Sequence, residues 1–437
     1  MTSTRLLGSF FLLLILVTCS AASEQVLYRF GGQADGNGPT AGLVIDGAGN
    51  LYGTTSSGGV GQCFGFGCGT AFQLVPQPDG TYTKNILHTF PGNKSDGGYP
   101  VGTLAIDAAG NLYGVTEQGG SGPCNTILGG GCGVVYRLSP GPNNTFTYTT
   151  LYNFGLGFGT DDGNYPNAGV VLDSAGNLYG TTQFGGDFFC DCGIVYQLQP
   201  AAQGPWTENI LYTFIGISQG GSDVSFPASS VTLDRNGNLF GSTTGGGDVN
   251  CNLGCGGVYE LIPNGDGTYQ ESVLSIFHGG RDGAQPEGGV IVDPRGNIFG
   301  STEFGGGGTG CNNGDSGCGT IFALRKTPAG YQKQILFRFD GINGYAPSAD
   351  LIFGASHSLL GTVQAGGVSN HGLVFRLTPA AGGWHESILY DFPGGQDGAS
   401  PLSALLPDGK GGFFGTTNDG GGTPDAGTVF QLFPGAQ

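Results

Sequence analysis

The sequence predicts an all-β protein, a seven-bladed β-propeller of four-stranded antiparallel blades, and three observations carry that expectation. The stretch Gly49-Asn50-Leu51-Tyr52-Gly53-Thr54-Thr55 returns at Gly110 to Thr116, Gly176 to Thr182, Gly237 to Thr243 and Gly296 to Thr302, then more loosely at Leu360-Gly361-Thr362 and Phe414-Gly415-Thr416-Thr417. Every unit consists of short aliphatic or aromatic runs bounded by Gly, Pro, Asn or Asp, and no stretch keeps a helical period. The last unit stops one strand short, while a strand-like run without a unit, Val26-Leu27-Tyr28-Arg29-Phe30, stands near the start.

Each unit parses into four strands, A to D. In the first, Leu43-Val44-Ile45 is strand A, the turn Asp46-Gly47-Ala48-Gly49 follows, and Asn50 to Thr55 is strand B. After a glycine-rich loop come strand C, Thr70 to Val75, and strand D, Thr83 to Phe90. One strand-C position is aromatic throughout (Phe72, Tyr136, Tyr196, Tyr259, Phe322, Phe375, Phe430), and a Phe ends strand D. A single four-stranded sheet cannot bury that apolar set, so neighbouring sheets must cover it. Residues 26–30 match strand D and supply what the seventh unit lacks. That closes the ring and removes exposed strand edges, which an open solenoid would leave to polar caps.

Composition agrees with one repeat domain rather than several. The 437 residues include 91 glycines and only 11 % charged residues, yet 38 % are hydrophobic, which argues against disorder. The first 22 residues carry Arg5, an apolar centre at Leu12 to Val17 and small residues at Ser20, Ala21 and Ala22, the pattern of a secretory signal peptide cut after Ala22. Lipid anchoring at Cys19 is the alternative, and Thr18 before it is a poor match. The expected domains are therefore a signal peptide at 1–22 and a single propeller at 23–437, secreted or held at the cell surface. No later run is long and apolar enough to cross a bilayer. The mature chain keeps 13 basic against 32 acidic residues, a net charge of −19, which argues against nucleic acid as a partner.

The whole mature chain resembles the tandem repeats of GloVer type, in the choice-of-anchor group. The resemblance is carried by Asp173-Ser174-Ala175-Gly176-Asn177-Leu178-Tyr179-Gly180-Thr181-Thr182, Gly185-Gly186 and Gly193-Ile194-Val195-Tyr196-Gln197-Leu198, repeated seven times. It implies an exported bacterial repeat protein with no established activity, often with a C-terminal surface anchor; no such anchor is visible before Gln437.

Three motifs remain. Cysteines pair in the loop between strands B and C: Cys63 with Cys68, Cys124 with Cys132, Cys190 with Cys192, Cys251 with Cys255, and Cys311 with Cys318. Their variable spacing and the lack of accompanying histidines favour local disulfides over a tetrahedral metal site. The narrow spacing of Cys190 and Cys192 leaves a redox role open beside the structural one. The second motif is an acid four positions before a proline between strands D and A: Asp35, Asp96, Asp162, Asp223, Asp282 and Asp397, with Asn343 in the sixth unit. Since the D to A loop leads to the innermost strand, these seven are expected around the channel mouth. There they would start turns or gather Ca²⁺ or a cationic ligand. The third motif, Asp46 with Asn50 and its repeats, reads as the A to B hairpin turn on the opposite face.

No nucleophile elbow, phosphate loop or zinc helix is present, and the five histidines fall at unrelated places in the repeat. No residue is assigned as catalytic and no cofactor is required. The expected function is a monomeric, non-enzymatic binding or scaffold module whose loop face takes an extracellular protein or glycan. The alternative is a polysaccharide-active lyase or hydrolase with its site at the channel mouth, hidden among carboxylates whose pairing is defined only in space.

Overall fold

A computed structural model describes residues 22–437 apart from 62, 64, 125–129, 156–161, 188, 202–205, 218–222, 309, 312–316, 434, 436 and 437. The expected signal peptide falls outside the described residues but for Ala22. The chain is all-β and forms seven four-stranded antiparallel blades in a ring. In the first blade, strands A (Val44–Ile45), B (Leu51–Thr55), C (Thr70–Pro76) and D (Tyr82–Thr89) run in sequence order from the axis outward. Among the described residues no helix is long and apolar enough to cross a membrane.

The repeated Leu-Tyr-Gly-Thr motif has a packing cause. A Cβ on Gly53 would stand 2.8 Å from the Phe72 ring, and on Gly180 it would stand 2.4 Å from the Tyr196 hydroxyl. The strand-C aromatic therefore lies flat over strand B, where only glycine leaves room. Strand D carries a β-bulge against strand C in every blade, for example between Val195 and Tyr196, and the skipped residue is a leucine such as Leu211. A bulge adds one residue and sharpens the local twist.

The seventh blade is built from both ends of the chain. Ser23–Arg29 pairs with Thr428–Phe433 and completes the sheet with Phe413–Thr417 and Leu406–Pro407. This first strand repeats strand D in detail. It skips Leu27 at the bulge, and Phe30 N–H donates to Gly427 O at 3.0 Å, as Phe90 does to Gly69 O and Phe154 to Gly133 O.

Between blades, the closing Phe of one strand D meets the strand-C aromatic of the next edge to face. Phe154 and Tyr196 have ring centroids 5.0 Å apart, and Phe392 and Phe430 are 5.2 Å apart. Such pairs contribute about 0.5–1.5 kcal/mol each beyond the area they bury. The core is thus a circle of inter-blade layers rather than one central mass.

On the face opposite the long loops, Asp46 closes the A to B turn: its carboxylate accepts the Ala48 and Asn50 amides at 2.9 Å and the Tyr52 hydroxyl at 2.9 Å. Asp107, Asp173, Asp234 and Asp293 repeat the backbone part of this turn.

Candidate functional site

The D to A and B to C loops meet on one face, as the meander requires; Asn37 bridges Ser57 and Ala284 bridges Phe304 across them. All five cysteine pairs are disulfide-bonded. Each bridge holds a B to C loop against the next blade's entry segment, so that Cys68 O accepts the Tyr99 amide at 2.8 Å and Cys255 O accepts the Gln285 amide at 2.9 Å.

The acids before the prolines do not ring the channel mouth. Four residues ahead of the proline the chain still runs near the outer strands, so these side chains lie at blade junctions, and five of the seven cap the end of the preceding strand D. The Asp35 carboxylate accepts the Gly31 amide at 2.6 Å, Asp162 accepts the Gly155 amide at 2.7 Å, Asp223 accepts the Ile215 amide at 2.9 Å, and Asp282 accepts the His278 amide at 3.1 Å. Asp96 contacts His88 Nε2 at 2.9 Å, and Asn343 accepts the Asp340 amide at 2.9 Å. Asp397 faces Glu24 across the closing seam.

What faces these acids changes round the ring. Lys84 binds Asp35 at 2.9 Å and Lys333 binds Asp282 at 2.5 Å. Burial works against the Asp35 charge, but the Gly31 amide and Lys84 outweigh it and hold the carboxyl below its ordinary range. At four other junctions the partner is itself an acid. Burial and the facing Asp162 push Glu208 up to about 8, while burial with Asp223, Asp340 and Asp397 pushes Glu271, Glu386 and Glu24 up to about 7. Each of these four glutamates keeps one buried carboxyl oxygen without a protein partner.

The residues that do reach the axis follow the prolines. A cavity of about 240 Å³ on the axis is lined by all seven blades, through segments such as Thr40-Ala41-Gly42, Asn167-Ala168-Gly169 and Ser348-Ala349-Asp350. Its wall is small and neutral except at Glu287 and Asp350. Burial raises the Asp350 carboxyl, against the Gly289 amide that it accepts.

The residue before each proline holds a left-handed backbone in all seven blades: Gly38 (φ 67°), Tyr99 (57°), Tyr165 (56°), Phe226 (60°), Gln285 (54°), Ala346 (56°) and Ser400 (56°). Bulky residues rarely adopt it. Here the strain belongs to the architecture, because each amide is tied to the previous blade and the carbonyl accepts from the end of strand B, as Gln285 O does from the Glu303 amide at 3.0 Å.

On blades three to five these positions frame a cleft of about 280 Å³. Phe184 and Phe226, both half-buried, form its aromatic wall, with centroids 5.7 Å apart. Gln183, Thr244, Asn252, Leu253, Gln285, Glu287 and Glu303 complete its lining. Burial and the neighbouring Glu287 carboxyl, to which Glu303 hydrogen-bonds, push Glu303 up to about 8. Unit four has Gly245 where other units carry Ser57, Gln118, Phe184, Phe304, Ala365 or Asp419. The Phe226 ring lies against that glycine, where a Cβ would come within 2.5 Å. The Cys251–Cys255 bridge sets Asn252 and Leu253 at the rim. Glu287 lines both cleft and axial cavity, joining the two.

Sequence reasoning passed over this site, although its signals are present: the extra glycine in Gly245-Gly246-Gly247 and the acid after the proline in Pro286-Glu287. Unit five breaks the repeat with two acids, Glu287 and Glu303.

Fold and loop face define a class, a closed seven-bladed propeller of tandem repeats. Matches to the Gloeobacter/Verrucomicrobia repeat at residues 13–254 and 251–437 place the chain in that family, to which it belongs. No curated protein matches. Among solved structures, a fungal alcohol oxidase in complex with copper is similar at 15 % identity and a TM-score of 0.53, over 95 % of this chain and 77 % of that one. A candidate 6-phosphogluconolactonase of Bacteroides uniformis matches at 12 % identity and a TM-score of 0.48, over 80 % and 83 %. At 15 % identity the likeness to the oxidase is one of fold alone.

Proposed function

We propose that this repeat protein is an exported, non-enzymatic binding module and that the cleft between blades three and five takes a glycan. The observation that carries this reading is the pair of half-buried rings, Phe184 and Phe226, lining one cavity together with Gln183, Asn252 and Gln285. Aromatic faces stack on the apolar side of a sugar ring, while amides and carboxyls bond its hydroxyls, the usual division of labour in a small-molecule site. A rigid disc with a preformed cleft also loses little conformational freedom on binding.

A hydrolase is the second reading, favoured by Glu303, which keeps its proton near neutral pH. Against it stands the contact between the two carboxyls. Glycosidases hold theirs about 5–9.5 Å apart, with the scissile bond between them, whereas Glu303 and Glu287 hydrogen-bond to each other. The test is calorimetry with a panel of soluble polysaccharides alongside a reducing-end assay. Binding without product release, weakened at least tenfold by Phe226→Ala, supports the proposal. Release of new reducing ends supports the hydrolase.

A further inference from the structure

The cleft is more specific than a general sugar site, and three departures from the repeat meet in it. Unit four has a glycine, Gly245, where the six other units carry a side chain, and the Phe226 ring of the aromatic wall lies against it. Unit five alone has an acid directly after its proline, where the others have Thr40, Val101, Asn167, Ala228, Ser348 and Leu402. Unit five also has an acid directly after strand B, shared only with Glu117 of unit two. Glu117 serves as an internal comparison: its own unit has Val101 after the proline and Gln118 beside it, and it lines neither the cleft nor the axial cavity.

We propose, resting on the glycan reading above, that this cleft selects glycans bearing free amino groups, with one ammonium held by the Glu287 and Glu303 carboxyls beside the Phe226 ring. Burial and the Glu287 carboxyl beside it disfavour the charged form of Glu303, so without a ligand Glu303 holds a proton. An ammonium supplies up to three N–H donors and a full positive charge to the same place. It displaces the Glu303 proton, which leaves to solvent, and its N–H groups donate to both carboxylates, the net charge of the site staying at −1. The aromatic wall adds to this, because a cation is drawn to a ring face within about 6 Å. The net charge of −19 on the mature chain also draws cations toward the disc. An N-acetyl group brings a single N–H and no charge, so it leaves the Glu303 proton in place. Among the described residues Glu287 is the titratable group acting on Glu303, so the exchange is local to this pair.

The test compares a glucosamine hexamer with its fully N-acetylated counterpart by calorimetry at pH 6, where the amine is charged, in two buffers of different ionisation enthalpy. The expected result is at least tenfold tighter binding of the amine form, with release of about one proton to the buffer, and loss of that preference in Glu287→Gln/Glu303→Gln. Proton release on the unmodified protein does not depend on the variant folding. Equal affinity for the two hexamers, or binding without proton release, overturns this inference while the glycan reading stands. No binding of either hexamer, with a lysine-rich peptide bound instead, overturns both.

Discussion

Phe30, in the first strand of the disc, meets Phe72 of the first blade edge to face with centroids 5.2 Å apart, the same contact that joins the other blades. The seam where the chain's two ends meet is therefore built like every other junction. Phe30 is 1 % exposed. Phe30→Ala is expected to cost about 3–5 kcal/mol, the range for emptying a buried aromatic site. Chemical denaturation checks this, and a cost under about 1 kcal/mol means the seam does not hold the ring.

The acid–acid junctions make stability depend on pH. Glu208, Glu271, Glu386 and Glu24 titrate at about 7 to 8 when folded, against an ordinary glutamate value of 4.5. Between those values the folded chain binds more protons than the unfolded chain, so stability falls as pH rises from about 5 to 8. These junctions are partly open to solvent, which reduces the effect. Melting temperature measured across that range should decline. Glu208→Lys, which would face Asp162 as Lys84 faces Asp35, should flatten the decline and raise the melting point at pH 8.

The glycine of the repeated motif offers a matched pair. Gly180→Ala would press its methyl against Tyr196 at 2.4 Å, whereas a methyl at Gly47 meets nothing within 4 Å. The first should cost roughly 1–3 kcal/mol by overpacking, while the second stays within about 0.5 kcal/mol. Equal costs in denaturation would mean the motif's glycine is not there for space.

Intact-mass analysis after alkylation without reductant should find no free thiol among the ten bridged cysteines. Each short loop should gain roughly 2–3 kcal/mol from its bridge on a chain-entropy estimate. Blades six and seven form without any bridge, so reduced protein should keep its far-ultraviolet circular dichroism while melting at a lower temperature. Loss of the β signal on reduction would show that the bridges hold the ring itself.

The local order of this protein is written in its residues. The repeat of Leu-Tyr-Gly-Thr, the Asp and Gly turns and the stray Val26 to Phe30 strand are short-range patterns, and they determined blade number, strand order and closure. The cysteine pairs were legible for the same reason, since each is separated by eight positions or fewer. Radial position was not legible. Asp35 and its counterparts precede the innermost strand by a few residues, yet they cap the outer strand the chain has just left. The cleft was decided by tertiary structure alone: its walls come from three blades, the Phe226 ring lies against Gly245, and Glu287 and Glu303 meet only because neighbouring loops converge. Sequence periodicity reports which face of a strand is buried, whereas a cavity depends on side chains far apart in the chain failing to fill a common space.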